Sequence, residues 1–212
     1  MEKPIEVTRT TSESLIQVKL DFGPRDPRGK EKIATPLPFF NHMLEHVAWR
    51  GEMNLAVTVK LDHFDLVHVI TEDVGITFGK AIKEYIAAHH GEGVVGYGYA
   101  YGTIDESLTR AVLSFESRAY LDFNPGDVKL PPAMEGMNSE DLVAFFEGFV
   151  QGAGATLHLD LLKGRPGHGH HIWESAFRAF GQALREALTV RPWRAGMTAG
   201  VAGTIHFEVK KG

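Results

Sequence analysis

The sequence predicts an α+β protein made of two tandem similar halves, each a mostly antiparallel sheet covered by two helices. Three observations carry this. Short segments in both halves alternate apolar and polar residues with the period of a strand, and two longer segments per half repeat apolar residues every three to four positions, as helices do. The chain also matches itself when shifted by 102 residues without a gap: Phe78-Gly79-Lys80-Ala81-Ile82-Lys83-Glu84 falls on Phe180-Gly181-Gln182-Ala183-Leu184-Arg185-Glu186. The same shift lays His68 on His170, Glu72 on Glu174, Glu45 on Glu147 and Leu55 on Leu157. Agreement of separate segments on one offset marks an internal duplication, with residues 1–92 and 93–212 as the two halves packed as one unit.

In the first half, Ile5–Thr10, Leu15–Phe22 and Lys32–Ala34 read as strands, the last two separated by a Gly/Pro turn from Gly23 to Gly29. Pro38 opens a helix through about Arg50, with Phe39, Met43, Leu44 and Val47 on its apolar face. Leu55–Val59 alternates as a strand, and a second helix runs from about Val69 to Ala88. The second half repeats the plan, with strands at Tyr97–Ile104, Ala111–Glu116 and Ala119–Asp122 and a loop over Asp122–Gly136. A helix from Ser139 to about Gln151 is predicted to be capped by Ser139 and ended by glycines; a strand at Thr156–Leu161 and a helix from near His170 follow.

The chain has 212 residues, 43% of them hydrophobic, which suffices to bury a substantial core. There is no run of ~18 apolar residues to span a membrane and no signal-like N-terminus, so a cytoplasmic protein is expected. The absence of cysteine excludes disulfides, thiolate catalysis and zinc-finger sites. A net charge of −5 without a basic tract gives no reason to expect nucleic acid.

The chemistry concentrates at His170-His171-Ile172-Trp173-Glu174. Residues four apart on a helix share a face, so His170 and Glu174 can reach one cation, while His171 is rotated about 100° away and must serve something else. The repeat supplies a second such face, His68 with Glu72, and His42 on the preceding helix is a further candidate. Imidazoles and carboxylates without thiolates suit manganese, iron, zinc or a similar divalent ion.

These residues resemble the imidazoleglycerol-phosphate dehydratase family of histidine biosynthesis. Arg9-Thr10-Thr11-Ser12-Glu13-Ser14 is similar to that family's Arg-x-Thr-x-Glu-Thr, and Phe39-Phe40-Asn41-His42-Met43-Leu44-Glu45 to its Phe-Phe-Asp-His-Met-Leu-Asp. Glu72-Asp73-Val74-Gly75-Ile76, Ile104-Asp105-Glu106-Ser107-Leu108, Ser117-Arg118-Ala119-Tyr120-Leu121 and His170-His171-x-x-Glu174 followed by Phe177-Arg178-Ala179-Phe180 match further motifs in order. The resemblance implies a ribosomal protein S5 domain 2-like fold in each half, a homo-oligomer of trimers assembling to a 24-mer, and manganese or another divalent transition metal, one or two ions per site. It implies a lyase that removes water from imidazoleglycerol phosphate to give imidazoleacetol phosphate. The metals would hold the substrate's imidazole so that the ring accepts electrons as a poorly acidic C–H is deprotonated. Carried over by position, His42, His68, Glu72, His170, His171 and Glu174 would be metal ligands, with Glu72 and Glu174 also in the catalytic set. Glu13 would act at the reacting end of the substrate, and Arg118 and Arg178 would help hold its phosphate.

The sequence departs from the family pattern at several points. Val69 replaces the second histidine after His68, Ala144 stands where a histidine is expected, and Gly96 replaces an arginine. His46 replaces a glutamine, His-Gly-Gly becomes Arg50-Gly51-Glu52, and a Pro-Ser-x-Lys-Gly phosphate loop is missing from the tail at Met197–Gly203. If His42 joins His68, Glu72 and His171, one site is nearly complete and the other, with His170 and Glu174, lacks both ligands lost at Val69 and Ala144. His46, His63 and His168 are unmatched histidines that could compensate. The alternatives to the dehydratase are a one-metal lyase acting on a related non-phosphorylated substrate and a non-catalytic, cage-forming relative.

Overall fold

The computed structural model describes residues 3–62, 66–205 and 208–210. The first half forms β1 (Ile5–Thr10), β2 (Ser14–Asp21), β3 (Ile33–Ala34), α1 (Pro38–Gly51), β4 (Asn54–Leu61) and α2 (Val67–Ala88). The second forms β5 (Tyr97–Ile104), β6 (Ser107–Ser114), β7 (Tyr120–Asn124), the short pair β8 (Ala133–Met134) and β9 (Met137–Asn138), α3 (Ser139–Ala153), β10 (Thr156–Lys163) and α4 (Gly169–Leu188).

The two four-stranded sheets have the same topology, ordered β1-β2-β4-β3 and β5-β6-β10-β7. In each the first three strands are antiparallel and the last, β3 or β7, runs parallel to its neighbour. Each sheet alternates buried and exposed side chains because one face meets helices and the other does not. Helices α1 and α2 pack on the first sheet, and α4 and part of α3 pack on the second. The helix layers then join crosswise, α1 on α4 and α2 on α3, giving the order sheet, helices, helices, sheet. Phe40, Phe78, Phe145, Phe146, Phe149, Phe177 and Phe180 fill the middle of one continuous core that draws on both halves.

The sequence boundaries hold to within a few residues except in the second half. Strand β6 begins at Ser107, earlier than Ala111, and the segment expected to be a loop over Asp122–Gly136 contains the end of β7 and all of β8, whose partner β9 follows directly. Helix α3 is capped by Asn138, not Ser139. The Asn138 side chain accepts from the first turn, while its own N–H donates to Asp141 Oδ2 at 2.9 Å in a capping box. The Ser139 hydroxyl is used elsewhere, donating to the Pro131 carbonyl at 2.7 Å and accepting from Trp173 Nε1 at 3.2 Å. No described helix is long and apolar enough to cross a membrane.

Candidate functional site

Where α1 meets α4, each helix contributes a row of side chains spaced one turn apart: His42 and His46 from α1, and His170, Glu174 and Arg178 from α4. Glu174 lies at the centre and is only 4% exposed. Its Oε2 faces His170 Nε2 at 3.3 Å and His42 Nε2 at 3.7 Å, and its Oε1 faces His46 Nε2 at 3.2 Å and accepts from Arg178 Nη2. The Nε2 atoms of His42 and His46 stand 3.3 Å apart. Ligand atoms of His42, His170 and Glu174 all lie within 4.8 Å of one another. A buried carboxylate requires cationic or hydrogen-bonding partners, and here most of those partners are imidazoles. Burial pushes the His46 imidazole down to about 4. The Glu174 carboxylate opposes that shift, and His42, Arg178 and Arg50 add to it. His46 is therefore neutral at pH 7 and has a lone pair to offer.

His171 points away from this cluster. Its Nδ1 approaches Glu106 Oε1 at 3.1 Å, and His168 Nδ1 reaches the same oxygen at 3.1 Å. The Glu106 carboxyl is held below its ordinary range, first by its own backbone N–H, then by the hydrogen bond from His171 and the charges of His168 and His171; desolvation opposes them. A carboxylate on Nδ1 fixes the tautomer and leaves Nε2 as the ligand atom.

Helices α2 and α3 present the repeat-related face with fewer ligands. His68 is largely exposed, its Nδ1 4.0 Å from Asp141 Oδ1, and Glu72 is half-buried. At the positions that the 102-residue shift relates to His42 and His46, α3 carries Ala144 and Gly148. A Cβ on Gly148 would lie 2.2 Å from the Glu72 carbonyl oxygen, so these backbones approach too closely for any side chain there. The expectation that His42 joins His68 and Glu72 is therefore corrected within the chain. Because α1 packs on α4 and α3 on α2, His42 meets His170 and Glu174, and the loss at Ala144 belongs to the His68–Glu72 side.

Glu13 is exposed on the β1–β2 turn. Thr11 Oγ1 accepts from the Glu13 and Ser14 N–H groups at 3.1 and 3.0 Å, and the Glu13 carbonyl accepts from Asp62 N at 3.1 Å. The turn is tied to α2 by buried Asp73, which accepts from Ser14 Oγ at 2.8 Å and pairs with Arg9 at 2.7 Å. Glu13 thus stands on a fixed turn beside the helix that carries His68 and Glu72.

The two arginines are not brought together in one chain. Arg178 Nη1 donates to the Thr103 carbonyl at 2.9 Å, near the end of β5. The Arg118 carbonyl accepts from Thr156 at the start of β10, and Thr156 pairs with Ser114 at the opposite end of β6. The two residues thus stand beside opposite ends of β6. His63 lies outside the described residues. A broad concavity between the turn at Gly23–Gly29 and the end of α1, where Arg25 stacks over Trp49 at 4.7 Å, is lined by none of His42, His170 and Glu174.

Glu106 and Asp73 were not singled out by sequence reasoning, although a signal for Glu106 exists. It immediately precedes β6 as Glu13 precedes β2, and a shift of 93 residues lays Glu13-Ser14-Leu15 on Glu106-Ser107-Leu108. The first two strands of each half thus repeat at a different offset from the helices and from β4 and β10, and an ungapped comparison passes over them.

The family model for imidazoleglycerol-phosphate dehydratase matches residues 35–184. The chain is 42% identical over 207 residues to the imidazoleglycerol-phosphate dehydratase of Ralstonia nicotianae, covering 97% of this chain and 100% of that one. It is 42% identical over 202 residues to that of Polynucleobacter asymbioticus, covering 94% and 98%. Among solved structures, the fold is similar to the dehydratase of Staphylococcus aureus, with a TM-score of 0.72, 30% identity and coverage of 89% of this chain and 100% of that one. It is similar to the Pyrococcus furiosus protein to the same TM-score of 0.72, with 31% identity and coverage of 87% and 94%. With its tandem sheets and its imidazole–carboxylate face, the chain belongs to the imidazoleglycerol-phosphate dehydratase family.

Proposed function

We propose that this histidine-biosynthesis dehydratase converts imidazoleglycerol phosphate to imidazoleacetol phosphate with manganese, or a similar divalent ion, as its cofactor. The observation that carries the metal reading is the convergence of His42, His170 and Glu174 ligand atoms to within 4.8 Å around a buried carboxylate. That donor set of imidazole nitrogens and carboxylate oxygen fits a divalent transition ion. A cation held there supplies a Lewis acid and an anchor for the substrate's imidazole ring.

The chain's own residues do the rest. Glu135 stands 3.5 Å from His170 Nδ1 and orients that ring so that Nε2 faces the site. Arg178 restrains Glu174, and Glu106 does for His171 what Glu135 does for His170. Glu13, exposed on its fixed turn, moves the proton: its carboxylate takes the proton from the carbon being deprotonated and returns it to the hydroxyl leaving the neighbouring carbon, so that water departs, the carboxylate is regenerated and the enol formed tautomerises to the ketone. His68, Glu72 and His171 form a second ligand set. His171 points away from Glu174, and this favours its serving a different ion, at a contact between copies. The separation of Arg118 and Arg178 favours the same conclusion for the phosphate. We therefore read the working unit as a homo-oligomer, with trimers assembling to a 24-mer in the cytoplasm, and residues 1–92 and 93–212 as duplicated halves packed as one unit. The repeated strand order supports the duplication.

The test is turnover. Purified protein with Mn²⁺ and imidazoleglycerol phosphate should form imidazoleacetol phosphate, and chelation should abolish the reaction. Bound metal without turnover would instead favour a one-metal lyase on a non-phosphorylated substrate, the reading suggested by the missing lysine loop.

A further inference from the structure

We propose that His46 is a metal ligand, and that with His42, Glu174 and His170 it builds a divalent-cation site contained within one chain between α1 and α4. The proposal rests on the metal dependence argued above and extends it to a residue that the shared motifs do not assign.

Helical spacing puts His42 and His46 on one face of α1, and both turn Nε2 towards the Glu174 carboxylate. Bonds of ~2.1 Å from one ion to imidazole nitrogen and carboxylate oxygen place neighbouring ligand atoms about 3.0 Å apart in an octahedron and about 3.4 Å apart in a tetrahedron. The observed separations are 3.3 Å for His42–His46, 3.2 Å for His46–Glu174, 3.3 Å for His170–Glu174 and 3.7 Å for His42–Glu174. Three of the four fall within the range of ligand edges; His46 faces Oε1 while His42 and His170 face Oε2, so the carboxylate would bind through both oxygens, with His46 beside the group of three whose ligand atoms lie within 4.8 Å of one another.

In these rings Nε2 is the atom turned inward, and a cation seated there would accept lone pairs from the rings and from the carboxylate. The outward nitrogens already face carboxylates, His170 Nδ1 at 3.5 Å from Glu135 and His42 Nδ1 at 3.9 Å from Glu45, an arrangement that reserves Nε2 for an ion. Arg178 shares Glu174 Oε1 with His46, so an ion ligated by His46 competes with that guanidinium for the oxygen.

The repeat explains why an extra ligand belongs here. The residue related to His171 is Val69, so the first half has no second histidine to offer the His170–Glu174 face. His46 supplies a nitrogen to that face from within the chain. The residue related to His46 is Gly148, where a side chain is excluded, so the device exists in one helix pair alone.

The test is cobalt binding to the metal-free full-length protein, comparing wild type with His46→Gln, His46→Ala, His42→Gln and, as a remote control, His158→Gln. We expect His46→Gln to weaken one class of Co²⁺ site at least tenfold and to change its visible d–d absorption, as His42→Gln does, while His158→Gln changes neither. A residue that merely packs beside the site would leave the absorption bands in place, so the spectrum separates ligation from positioning. Melting of each metal-free variant checks its fold, and His46→Ala carries the comparison if the glutamine variant is destabilised. Wild-type affinity and spectrum retained in a folded His46 variant would overturn the assignment of His46 and leave the metal reading intact. Failure of the wild type to bind any cation would overturn both.

Discussion

The two crosswise helix pairs share a sequence pattern and differ in what lies between the helices. Between α2 and α3 the backbones touch. Gly75 and Gly79 on one helix and Gly148 and Gly152 on the other sit where an added Cβ would lie 2.0–2.3 Å from a facing backbone oxygen. Between α1 and α4 the corresponding positions carry Phe177, Gly181, His46 and Arg50; Gly181 still meets α1 closely, an added Cβ lying 2.8 Å from the Val47 carbonyl oxygen, whereas His46 faces Glu174 among imidazoles. Glycine on both sides brings dipolar backbones and apolar side chains into dense contact, which suits a structural seam. Towards the start of α4, larger polar residues replace glycine and leave a buried carboxylate satisfied by imidazoles and by Arg178. The position related to His46 cannot hold a ligand in that pair, because no side chain fits at Gly148.

The most severe way to break this comparison is to widen the tight seam. Gly148→Ala with Gly152→Ala drives two methyl groups against the backbone oxygens of Glu72 and Ile76, at 2.2 and 2.0 Å. Alanine gains about 1 kcal/mol of helix propensity per site, but overpacking of this kind costs more. We expect a net loss of about 3 kcal/mol, read from urea unfolding. Gly29→Ala, which meets nothing within 4 Å, should stay within about 0.5 kcal/mol of wild type. If the double variant unfolds like wild type, the seam is looser than described and the two pairs are alike.

A smaller effect sharpens the chemical side. Glu106→Ala removes the carboxylate that His171 and His168 share. Loss of such an outer partner typically lowers metal affinity ten- to a hundredfold. The expected result is a fall of about tenfold at the ion served by His171, read by Mn²⁺ titration, with the ion at the α1–α4 face unaffected. Equal weakening of every ion would mean that the two faces are not independent.

How much of this was legible in the sequence follows from the same contrast. Local signals placed the elements well: Pro38 pre-sets the first turn of α1, and period-two alternation marks β1 and β5. The His–Glu faces at 68–72 and 170–174 were legible because helical spacing is local. The partner of His42 was not. That depends on α1 crossing to α4, a contact between residues more than a hundred positions apart, and no spacing rule encodes which helix of one half meets which of the other. From the sequence His46 is only an unmatched histidine that could compensate; that it faces Glu174 depends on the same crossing. The glycines at 75, 79, 148 and 152 fall four apart on two helices, but a seam is visible only once those helices are known to face each other. The cap of α3 went to Asn138 because Ser139 was taken by Trp173, a tertiary contact that outbids a local preference.

The cap gives the gentlest prediction and a test of how far the two pairs are coupled. In the capping box, Asn138 satisfies a first-turn N–H of α3 and Asp141 accepts from the Asn138 N–H. Asp141 also stands 4.0 Å from His68 Nδ1, so the cap orders the residue nearest to the poorer ligand face. Asn138→Ala should cost about 1 kcal/mol. For a chain of this size that lowers the melting temperature by about 3 °C. The α1–α4 cluster contains no residue from α3, so its cation affinity should be unchanged even as the start of α3 frays. A drop in affinity at that cluster comparable to the loss in stability would show that the tight seam sets the geometry of the metal face, and that the division of labour between the two pairs is incomplete.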